Sequence, residues 1–341
     1  MKVCVVGAGH YARFHVGAWR RIAGVDIVGI ADLNEAAARE AAIGMSHVKT
    51  FTDARLMVAT LRPDVLDIVT PEASHLALVS EFVGKVATII CQKPLAPSLD
   101  QARHMVELAE RSASMLLVHE NFRFQPWFRA ARQAIEDGSI GEPQQLTFRF
   151  RPGDGRGAEA YQERQPYFRQ MTRFLVHETA VHYIDVFRFL LGEVCAVTAR
   201  LRRVNNSIAG EDAGIVLFEF ESGAIAILDA NRDLDHAASE PRFTQGTLLL
   251  EGANGTLRLD GQARMWIRAR GSAVEQIQQE FARLVPNGDS VFALQLHVAT
   301  SLQQGVAPDN RCHARAYLRN LEIEQAIYAS DSEGRTIRLP A

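Results

Sequence analysis

The stretch that opens the chain runs from an apolar segment into closely spaced glycines and reads Val3-Cys4-Val5-Val6-Gly7-Ala8-Gly9-His10-Tyr11-Ala12. A strand, turn and helix start of this kind lets the backbone come close to a pyrophosphate, which then meets the amides at the helix N-terminus. Ala12 occupies the third glycine position, where a small residue allows helix and strand to pack closely. The stretch predicts a dinucleotide-binding turn whose cofactor contacts are Gly7, Gly9, His10, Tyr11 and Ala12.

Asp32 strengthens this prediction. It closes the second apolar run, residues 27–31, about twenty residues after the glycines, where a carboxylate can accept hydrogen bonds from the adenosine ribose. An isolated G-x-G pattern usually marks only a tight turn, but strand, turn, helix and strand-terminal acid together favour a cofactor site. Leu33 and Asn34 follow Asp32 without an arginine that could meet a 2′-phosphate, which favours NAD over NADP.

Composition limits the class of protein. A chain of 341 residues with 47% hydrophobic residues suits about two domains, each with a buried core. The formal net charge of −3 argues against nucleic-acid and anionic-membrane partners. No apolar run approaches the roughly twenty residues that span a bilayer, and Met1-Lys2 leads directly into the first apolar run, leaving no room for a signal peptide. We therefore expect a cytoplasmic protein.

The pattern of cysteines and histidines does not favour a metal site. Cys4, Cys91, Cys195 and Cys312 are scattered without C-x-x-C spacing, and most lie in apolar runs, which favours buried thiols. A metalloprotease helix requires histidines at i and i+4, whereas the sequence places His177 and His182 five residues apart. We expect no metal ligands.

The first third of the chain alternates short apolar runs with amphipathic segments. Strands are predicted at residues 2–6, 26–31, 65–69, 87–91 and 115–120, and helices at 35–42, 76–83 and 100–111. Strand and helix in alternation predict a doubly wound parallel sheet of the Rossmann type. We assign residues 1–122 to this dinucleotide-binding domain.

The pattern changes after a helix predicted at 126–137. Period-two alternation predicts strands at 146–151, 215–220, 224–230, 247–251 and 256–259, and helices are predicted at 175–191, 290–304 and 312–330. Residues 123–341 are therefore predicted to form an α+β domain for substrate binding and oligomerisation. Its sheet is expected to be open and mostly antiparallel, and the open face is a candidate subunit interface.

Loops that follow parallel strands surround the ligand in sheets of this type. This rule places Thr70, Pro71, His75 and Gln92-Lys93 on the cofactor side. Pro94 restricts the backbone of Lys93, whose ammonium could polarise a substrate oxygen while hydride leaves the same carbon. The alternative is an ordinary solvated loop lysine.

The predicted helix at 175–191 carries a polar stripe. At about 100° per residue, Glu178, His182 and Asp185 fall on one face of an otherwise apolar helix. We interpret His182 as a base whose imidazole is oriented by the two carboxylates, since an imidazole can accept a proton near neutral pH. The alternative is a capped and solvated helix N-terminus.

Further polar residues are candidates for substrate contacts. Asn121 and Arg123 lie where the first domain passes into the second and could line an interdomain cleft, although a structural arginine is an equal alternative. Tyr161 and Arg169, in a poorly patterned stretch before the long helix, are weaker candidates. Three nearby glycines, Gly153, Gly155 and Gly157, suggest either a mobile loop or a surface turn.

Taken together, these motifs resemble the glucose-fructose oxidoreductase, inositol dehydrogenase and MocA family of nicotinamide-dependent oxidoreductases. The nucleotide turn followed by a histidine resembles residues 7–15, and the T-P-x-x-x-H segment matches Thr70 to His75. The family's E-K-P, Asn-x-Arg-Phe and D-x-G-x-H-x-x-D segments resemble residues 92–94, 121–124 and 178–185. Gln92 replaces the usual glutamate, and Glu178 replaces the usual aspartate.

The resemblance implies an NAD(P)-dependent dehydrogenase that oxidises a secondary or hemiacetal hydroxyl of a sugar or polyol by hydride transfer to nicotinamide C4. It implies chemistry by Lys93 and His182 and a homodimer or homotetramer formed through the C-terminal sheet. Residues 120–127, 166–169 and 177–179 look most like the branch that acts on apiose and related pentoses, which would yield a lactone. The alternatives are a dinucleotide-binding regulator without turnover, which the retention of Lys93 and His182 argues against, and an NAD-dependent glycosidase acting by transient oxidation.

Overall fold

The computed structural model describes residues 1–163, 165–282 and 288–340. It divides into two compact units. The first unit consists of Met1–Phe124 with the described part of Leu284–Arg319, and the second of the described parts of Gln125–Arg283 and Asn320–Ala341. The predicted division at residue 122 differs from this, because the chain returns to the first unit near its C-terminal end.

The described strands and helices are as follows, in chain order. The strands are β1 (Lys2–Val6), β2 (Asp26–Ala31), β3 (Lys49–Phe51), β4 (Val65–Ile68), β5 (Thr88–Gln92), β6 (Met115–His119), β7 (Pro143–Phe150), β8 (Val194–Arg202), β9 (Ala213–Phe220), β10 (Ile225–Asn231), β11 (Gly246–Gly252), β12 (Gly255–Leu259), β13 (Arg264–Ala269), β14 (Gln276–Glu280) and β15 (Ile337–Arg338). The helices are α1 (Ala12–Trp19), α2 (Glu35–Ala41), α3 (Ala54–Leu61), α4 (His75–Phe82), α5 (Leu99–Glu110), α6 (Pro126–Glu136), α7 (Val181–Leu191), α8 (Gly288–Gln303) and α9 (Ala314–Glu333).

The first unit is built on a parallel sheet. Among the described residues its strand order is β3-β2-β1-β4-β5-β6, and every neighbouring pair is parallel. All residues of β4 and β5 are buried, as expected for strands covered on both faces by helices. The order reverses between β1 and β4, and the carboxyl ends of strands at such a switch point form the ligand crevice. The predicted doubly wound sheet is confirmed.

Helix α8 completes the core of this unit. Leu294, Val298 and Ala299 pack in one buried cluster with residues of β1 and α1. Asn121 donates a hydrogen bond from Nδ2 to Ser290 Oγ at 2.7 Å, which ties the end of β6 to α8. A helix that returns across more than a hundred and fifty residues leaves no local sequence signal, which explains the different domain division.

The second unit is built on a mixed sheet. Its described strands run in the order β14-β13-β12-β11-β7-β10-β9-β8-β15. Only the β7–β10 pair is parallel among the described strand pairs of this sheet, so the prediction of a mostly antiparallel sheet is confirmed.

Helix α7 covers one face of this sheet. The Tyr183 ring lies 4.4 Å from that of Phe148 on β7, and the Phe187 ring lies 5.5 Å from that of Phe218 on β9. Every residue of α7 is buried, as its apolar sequence predicts. Residues of the strands that alternate with this buried set point to the opposite face and are half-buried or, like Ile215, exposed.

No helix in the described ranges is both long and apolar enough to cross a lipid bilayer. All four cysteines fall within those ranges and are thiols. Cys4, Cys91 and Cys312 are buried, and Cys195 is half-buried. The prediction of buried thiols is confirmed for three of the four.

Candidate active site

The glycine turn after β1 has the geometry that a pyrophosphate requires. Gly7 has a φ of +99°, and a Cβ there would lie 2.6 Å from the carbonyl oxygen of Val69, so only glycine fits. A Cβ at Gly9 would meet no atom within 4 Å, which leaves that side of the turn open. Helix α1 begins after Tyr11 without a side-chain cap, so no side chain occupies the end of the helix where a phosphate binds in this fold, although the amides of Ala12 and Phe14 donate to the carbonyl oxygens of Gly9 and Tyr11. These features fit a dinucleotide.

The other predicted contacts of the turn lie around it. Ala12 is buried, as close packing of α1 against β1 demands. The exposed His10 lies 3.2 Å from Arg13 through its Nε2 atom, and the Tyr11 ring packs 5.6 Å from that of His15. His10 and Tyr11 are therefore held at the start of α1.

Asp32 braces the same turn. Its Oδ2 accepts a hydrogen bond from the amide of Ala8 at 2.7 Å, and its Oδ1 accepts one from the amide of Asn34 at 2.8 Å. The carboxylate thus joins the end of β2 to the glycine turn and faces the position that the ribose takes in this fold. Leu33 beside it is 95% exposed. An apolar neighbour offers no charge to a 2′-phosphate.

His75 joins the two loops expected on the cofactor side. The ring is buried, with Nε2 2.9 Å from the carbonyl oxygen of Thr70 and Nδ1 3.1 Å from that of Leu95. Burial lowers the pKa of His75 below its ordinary 6.5, although the backbone hydrogen bonds oppose the shift. Ser74 donates a hydrogen bond to Thr70 Oγ1 at 2.7 Å, which fixes the first of these loops. His75 therefore positions the loops rather than exposing its ring.

Lys93 follows directly after β5 and is half-buried. Its amide donates a hydrogen bond to the side-chain Oε1 of Gln92 at 2.7 Å. The Lys93–Pro94 peptide bond is cis. The hydrogen bond to Gln92 thus holds the backbone of the predicted catalytic lysine.

The polar stripe of the second unit begins in a wide helical turn. Residues Leu175–Ala180 form a π-helix that continues into α7, so the predicted helix has the expected extent but a wider first turn. π-Turns within α-helices are frequent at functional sites. Glu211 Oε1 accepts the amides of Phe174 and Val176, both at 3.1 Å, and holds the start of this turn. His182 and Asp185 are buried in α7, and Glu178 on the π-turn is half-buried.

Arg232 holds the predicted catalytic Glu178. Its Nη2 lies 2.9 Å from Glu178 Oε2 and also contacts Thr179 Oγ1, while its Nη1 lies 3.1 Å from both oxygens of Asp154. Burial disfavours the charged guanidinium, but Asp154, Tyr161 and Glu178 outweigh that effect and raise the pKa of Arg232. The guanidinium is therefore permanently charged and fixes the Glu178 carboxylate.

Asp185 is oriented through a second chain of side chains. Its Oδ1 accepts a hydrogen bond from Asn320 Nδ2 at 3.2 Å, and Asn320 Oδ1 accepts one from Arg188 Nη1 at 2.7 Å. Arg188 in turn pairs with both carboxylate oxygens of Glu193 at 2.8 and 2.9 Å. These contacts fix Asp185 one helical turn after His182.

His177 has a structural environment. It is buried, and its Nδ1 lies 2.8 Å from Glu324 Oε1 on α9. Within the described part of the chain no group of three or more His, Cys, Asp or Glu side chains could hold a metal ion. The hydrogen bond between His177 and Glu324 ties the π-turn to the C-terminal helix.

The structure favours a structural role for three of the predicted substrate residues. Arg123 is fully buried, and its Nη2 lies 3.1 Å from Cys312 Sγ. Asn121 is also buried through its bond to α8. Tyr161 is buried and donates a hydrogen bond to Asp154 Oδ1 at 2.8 Å. Arg169, in a short 3-10 helix at Pro166–Gln170, is half-buried and remains a candidate.

Several hydrogen bonds hold the glycine-rich loop before the π-turn, which favours a surface turn over a mobile loop. The amide of Gly153 donates to Leu234 O and that of Gly155 to Arg232 O, both at 3.0 Å. Asn205 Nδ2 donates to the carbonyl oxygens of Gly155 and Gly157, both at 2.7 Å. A Cβ at Gly155 would lie 2.8 Å from Arg232, so this glycine serves close packing.

Sequence reasoning missed several residues that support the site. Arg232, Glu211 and Asn320 lie far along the chain from the side chains they hold, and no local pattern marks them. Asp67 carried a signal, because it is an acid inside the apolar run from Val65 to Val69. A charged residue in a buried strand requires polar partners, so Asp67 could have been predicted to lie in a buried hydrogen-bond network.

The parallel sheet, the open glycine turn and the braced acidic residue define a dinucleotide-binding oxidoreductase fold, joined to a second unit with a polar stripe on a buried helix. Two sequence profiles match the chain: an oxidoreductase family with an NAD-binding Rossmann fold at residues 1–120, and the GFO/IDH/MocA C-terminal domain at residues 128–258. The chain belongs to the GFO/IDH/MocA family of oxidoreductases, as the motifs suggested.

Full-length relatives support this assignment. The chain is 34% identical to a D-apiose dehydrogenase of Paraburkholderia graminis, over 99% of this chain and 89% of the relative. It is 30% identical to a D-apiose dehydrogenase of Rhizobium rhizogenes, over 100% and 98% of the two chains. A solved oxidoreductase of Agrobacterium radiobacter, in complex with NAD⁺, L-tartaric acid and magnesium, superposes with a TM-score of 0.90 at 30% identity, over 99% of this chain and 98% of that one.

Proposed function

We propose that this protein is an NAD-dependent dehydrogenase that oxidises a secondary or hemiacetal hydroxyl of a sugar or polyol. The observation that carries the proposal is Lys93, which follows β5 at the ligand side of a dinucleotide-binding sheet and whose backbone is fixed by Gln92. A lysine in that place can donate a hydrogen bond to a substrate oxygen. Its position agrees with the cofactor-side turn built by Gly7, Gly9 and Asp32.

The substrate that we propose is D-apiose, oxidised at its hemiacetal carbon to the lactone. Two relatives that match this chain over almost its whole length are D-apiose dehydrogenases. The proposal also includes related pentoses, because Glu178 places its carboxylate one methylene further than the aspartate usual in the family.

In the mechanism that we propose, NAD supplies a hydride acceptor when bound, and the side chains move and stabilise the proton. His182 accepts the hydroxyl proton, and Lys93 donates a hydrogen bond to a substrate oxygen as negative charge develops on it. Glu178 and Asp185 orient the imidazole or bind neighbouring hydroxyls. The contacts that fix both carboxylates, through Arg232 and Asn320, support these roles.

We propose that NAD is preferred over NADP. Asp32 is followed by the exposed Leu33 and by Asn34, so a 2′-phosphate would meet a carboxylate without a compensating cation from these two residues. Thr70, Pro71 and Gln92 complete the proposed cofactor side, with His75 holding its loops.

We propose a homodimer or homotetramer that forms through the open face of the nine-stranded sheet of the described second unit. That face carries exposed aliphatic side chains, including Ile215 at 56%, Ile225 at 38% and Leu249 at 36% exposure. Exposed apolar side chains on an open sheet face are a feature of association sites, and on this face Thr147, Arg149 and Asp229 lie among them.

We place the protein in the cytoplasm. NAD-dependent oxidation needs the cellular nicotinamide pool, and the thiol state of all four described cysteines suits a reducing compartment.

The experiment that tests the proposal is absorbance at 340 nm with purified protein, NAD or NADP, and a panel of D-apiose, other aldopentoses, hexoses, inositols and sugar acids. We expect NADH formation with D-apiose and NAD. NADH formation with another class of sugar would keep the dehydrogenase and replace the substrate. Cofactor binding without NADH formation from any sugar would instead support a regulator or a glycosidase that uses bound NAD transiently.

A further inference from the structure

A buried acid lies in the centre of the nucleotide-binding sheet. Asp67, on β4, is fully buried, and such a carboxylate is costly unless hydrogen bonds satisfy it. Its Oδ2 lies 2.8 Å from His15 Nδ1, 2.7 Å from Trp19 Nε1 and 3.3 Å from Gln295 Nε2. Donors from α1 and α8 therefore converge on one carboxylate oxygen.

The bond to Asp67 determines how His15 meets Gln92. Because Nδ1 of the imidazole donates to the carboxylate, Nε2 of a neutral ring is an acceptor. Gln92 Nε2 lies 2.9 Å from it and donates. The amide oxygen of Gln92 is thereby turned to the other side, where it accepts the Lys93 amide at 2.7 Å.

The opposite orientation of the Gln92 amide is unfavourable. If His15 carried protons on both nitrogens, Gln92 would turn its oxygen toward the ring. Its NH2 group would then face the amide of Lys93, which is also a donor. The chain of bonds is therefore directional, from the Asp67 carboxylate to the Lys93 backbone.

The three hydrogen-bonded side chains of Asp67, His15 and Gln92 are buried. His15 and Asp67 are fully buried and Gln92 is 8% exposed, and the three side chains come from α1, β4 and β5. On the other side of Pro94, the carbonyl oxygen of Leu95 is held by His75. The backbone around Lys93 is thus fixed from both directions.

We propose that Asp67, His15 and Gln92 act as a positioning relay that sets where Lys93 directs its ammonium. The relay rests on the proposed function of Lys93, and its members are positioning residues that need not touch the substrate. A small displacement of a catalytic group costs about a hundredfold in rate. Loss of the relay should therefore lower turnover while leaving the nucleotide turn at Gly7 and Asp32 intact.

The test compares variants of the full-length protein, using D-apiose or whichever sugar the panel identifies. Gln92→Met removes both hydrogen bonds at similar volume, and we expect kcat to fall about 10- to 100-fold with KM for the sugar within about twofold. Gln92→Glu keeps an acceptor for the Lys93 amide but loses the donor to His15 Nε2, and we expect kcat to fall less than in Gln92→Met. Thr88→Val, a buried polar change at the start of β5, is the matched control and should leave kcat unchanged.

His15→Asn is the second route into the relay, and it decides the matter if Gln92→Met does not fold. We expect the same fall in kcat, and no further fall when the two changes are combined, because both interrupt the same series of hydrogen bonds. Wild-type kcat in His15→Asn or Gln92→Met, or equal losses in Gln92→Met and Gln92→Glu, would overturn the relay.

Lys93→Met separates the relay from the proposed function. If Lys93→Met abolishes turnover while Gln92→Met and His15→Asn keep it, the relay is wrong and the function of Lys93 stands. If Lys93→Met keeps turnover, the catalytic role of Lys93 is wrong, and the relay falls with it.

Discussion

Arg232 and Glu178 form an ion pair in the second unit, with Nη2 of the arginine 2.9 Å from Oε2 of the glutamate. Removing one partner of a buried pair leaves the other charge uncompensated, at a cost on the order of 3 kcal/mol. We expect Arg232→Met to lower kcat at least tenfold, which raises the activation free energy by about 1.4 kcal/mol or more, because Glu178 and Asp154 lose their common donor. Steady-state kinetics and urea unfolding measure the two effects.

Arg151→Met is the matched control for that change. Arg151 is a buried arginine of the same unit that pairs with Asp229 at 2.6 Å, away from Glu178. We expect a comparable loss of stability with nearly unchanged kcat. Equal losses of kcat in both variants would show that Arg232 acts only through stability.

His182→Ala tests the proposed base. General-base catalysis contributes about 10²- to 10⁴-fold, so we expect kcat to fall by that range with Kd for NAD unchanged. His236→Ala is the control, because His236 is a half-buried histidine of the same unit bonded to Arg151 O and Thr244. Near-normal turnover of His182→Ala would refute the assignment.

The two turn glycines should respond differently to alanine. At Gly9 an added Cβ meets no atom within 4 Å, so Gly9→Ala should keep its unfolding free energy within about 0.5 kcal/mol while weakening NAD binding at least tenfold. At Gly7 the positive φ and the 2.6 Å approach to Val69 O predict a destabilised protein. Thermal unfolding and calorimetric NAD titration distinguish them, and unchanged NAD affinity in Gly9→Ala would contradict a phosphate at that turn.

Asp32→Ala should weaken the preference for NAD. A hydrogen bond to a charged group contributes about 1.5–3 kcal/mol, so we expect the ratio of kcat/KM for NAD to that for NADP to fall about 10- to 100-fold. Asp26→Ala is the control on the same strand, because Asp26 is exposed and pairs with His47 at 3.0 Å. An unchanged ratio in Asp32→Ala would place the discrimination elsewhere.

His75 should make stability depend on pH. Its folded pKa is lowered by burial, so below its ordinary value of 6.5 the unfolded chain binds a proton that the folded protein resists. The neutral, buried His75 therefore favours folding fully above pH 6.5, and this contribution is lost as the pH falls below that value. The free energy of unfolding should decrease from pH 7 to pH 5. His75→Gln should be less stable at pH 7 but show a shallower decrease in urea titrations. Parallel curves for the two proteins would contradict this.

Local periodicity predicted the fold well because each unit repeats one pattern: strands alternating with helices in the first unit, and mostly antiparallel strands in the second. The apolar runs of β1, β2 and β6 appear in the structure close to their predicted bounds. Strand β14 was not predicted, because all its residues are exposed and no alternation marks it. Strand β3 is short and lies at the sheet edge, which leaves little pattern to read.

The site was less predictable because its support comes from distant residues. A uniform helical period places Glu178 with His182 and Asp185, but the π-turn changes the spacing at Glu178. Arg232, fifty-four residues further along, then decides where that carboxylate is held. Pairs of this separation arise from the fold and have no counterpart in a local pattern.

The return of α8 to the first unit has a consequence for biosynthesis. The six strands of the described parallel sheet emerge from the ribosome long before it has translated Leu294, Val298 and Ala299, which complete the same core. Until then, the face of α1 that these residues cover is exposed on the nascent chain. The nucleotide-binding unit therefore matures only after most of the second unit has emerged, and premature termination between β6 and α8 yields a Rossmann sheet with an open flank.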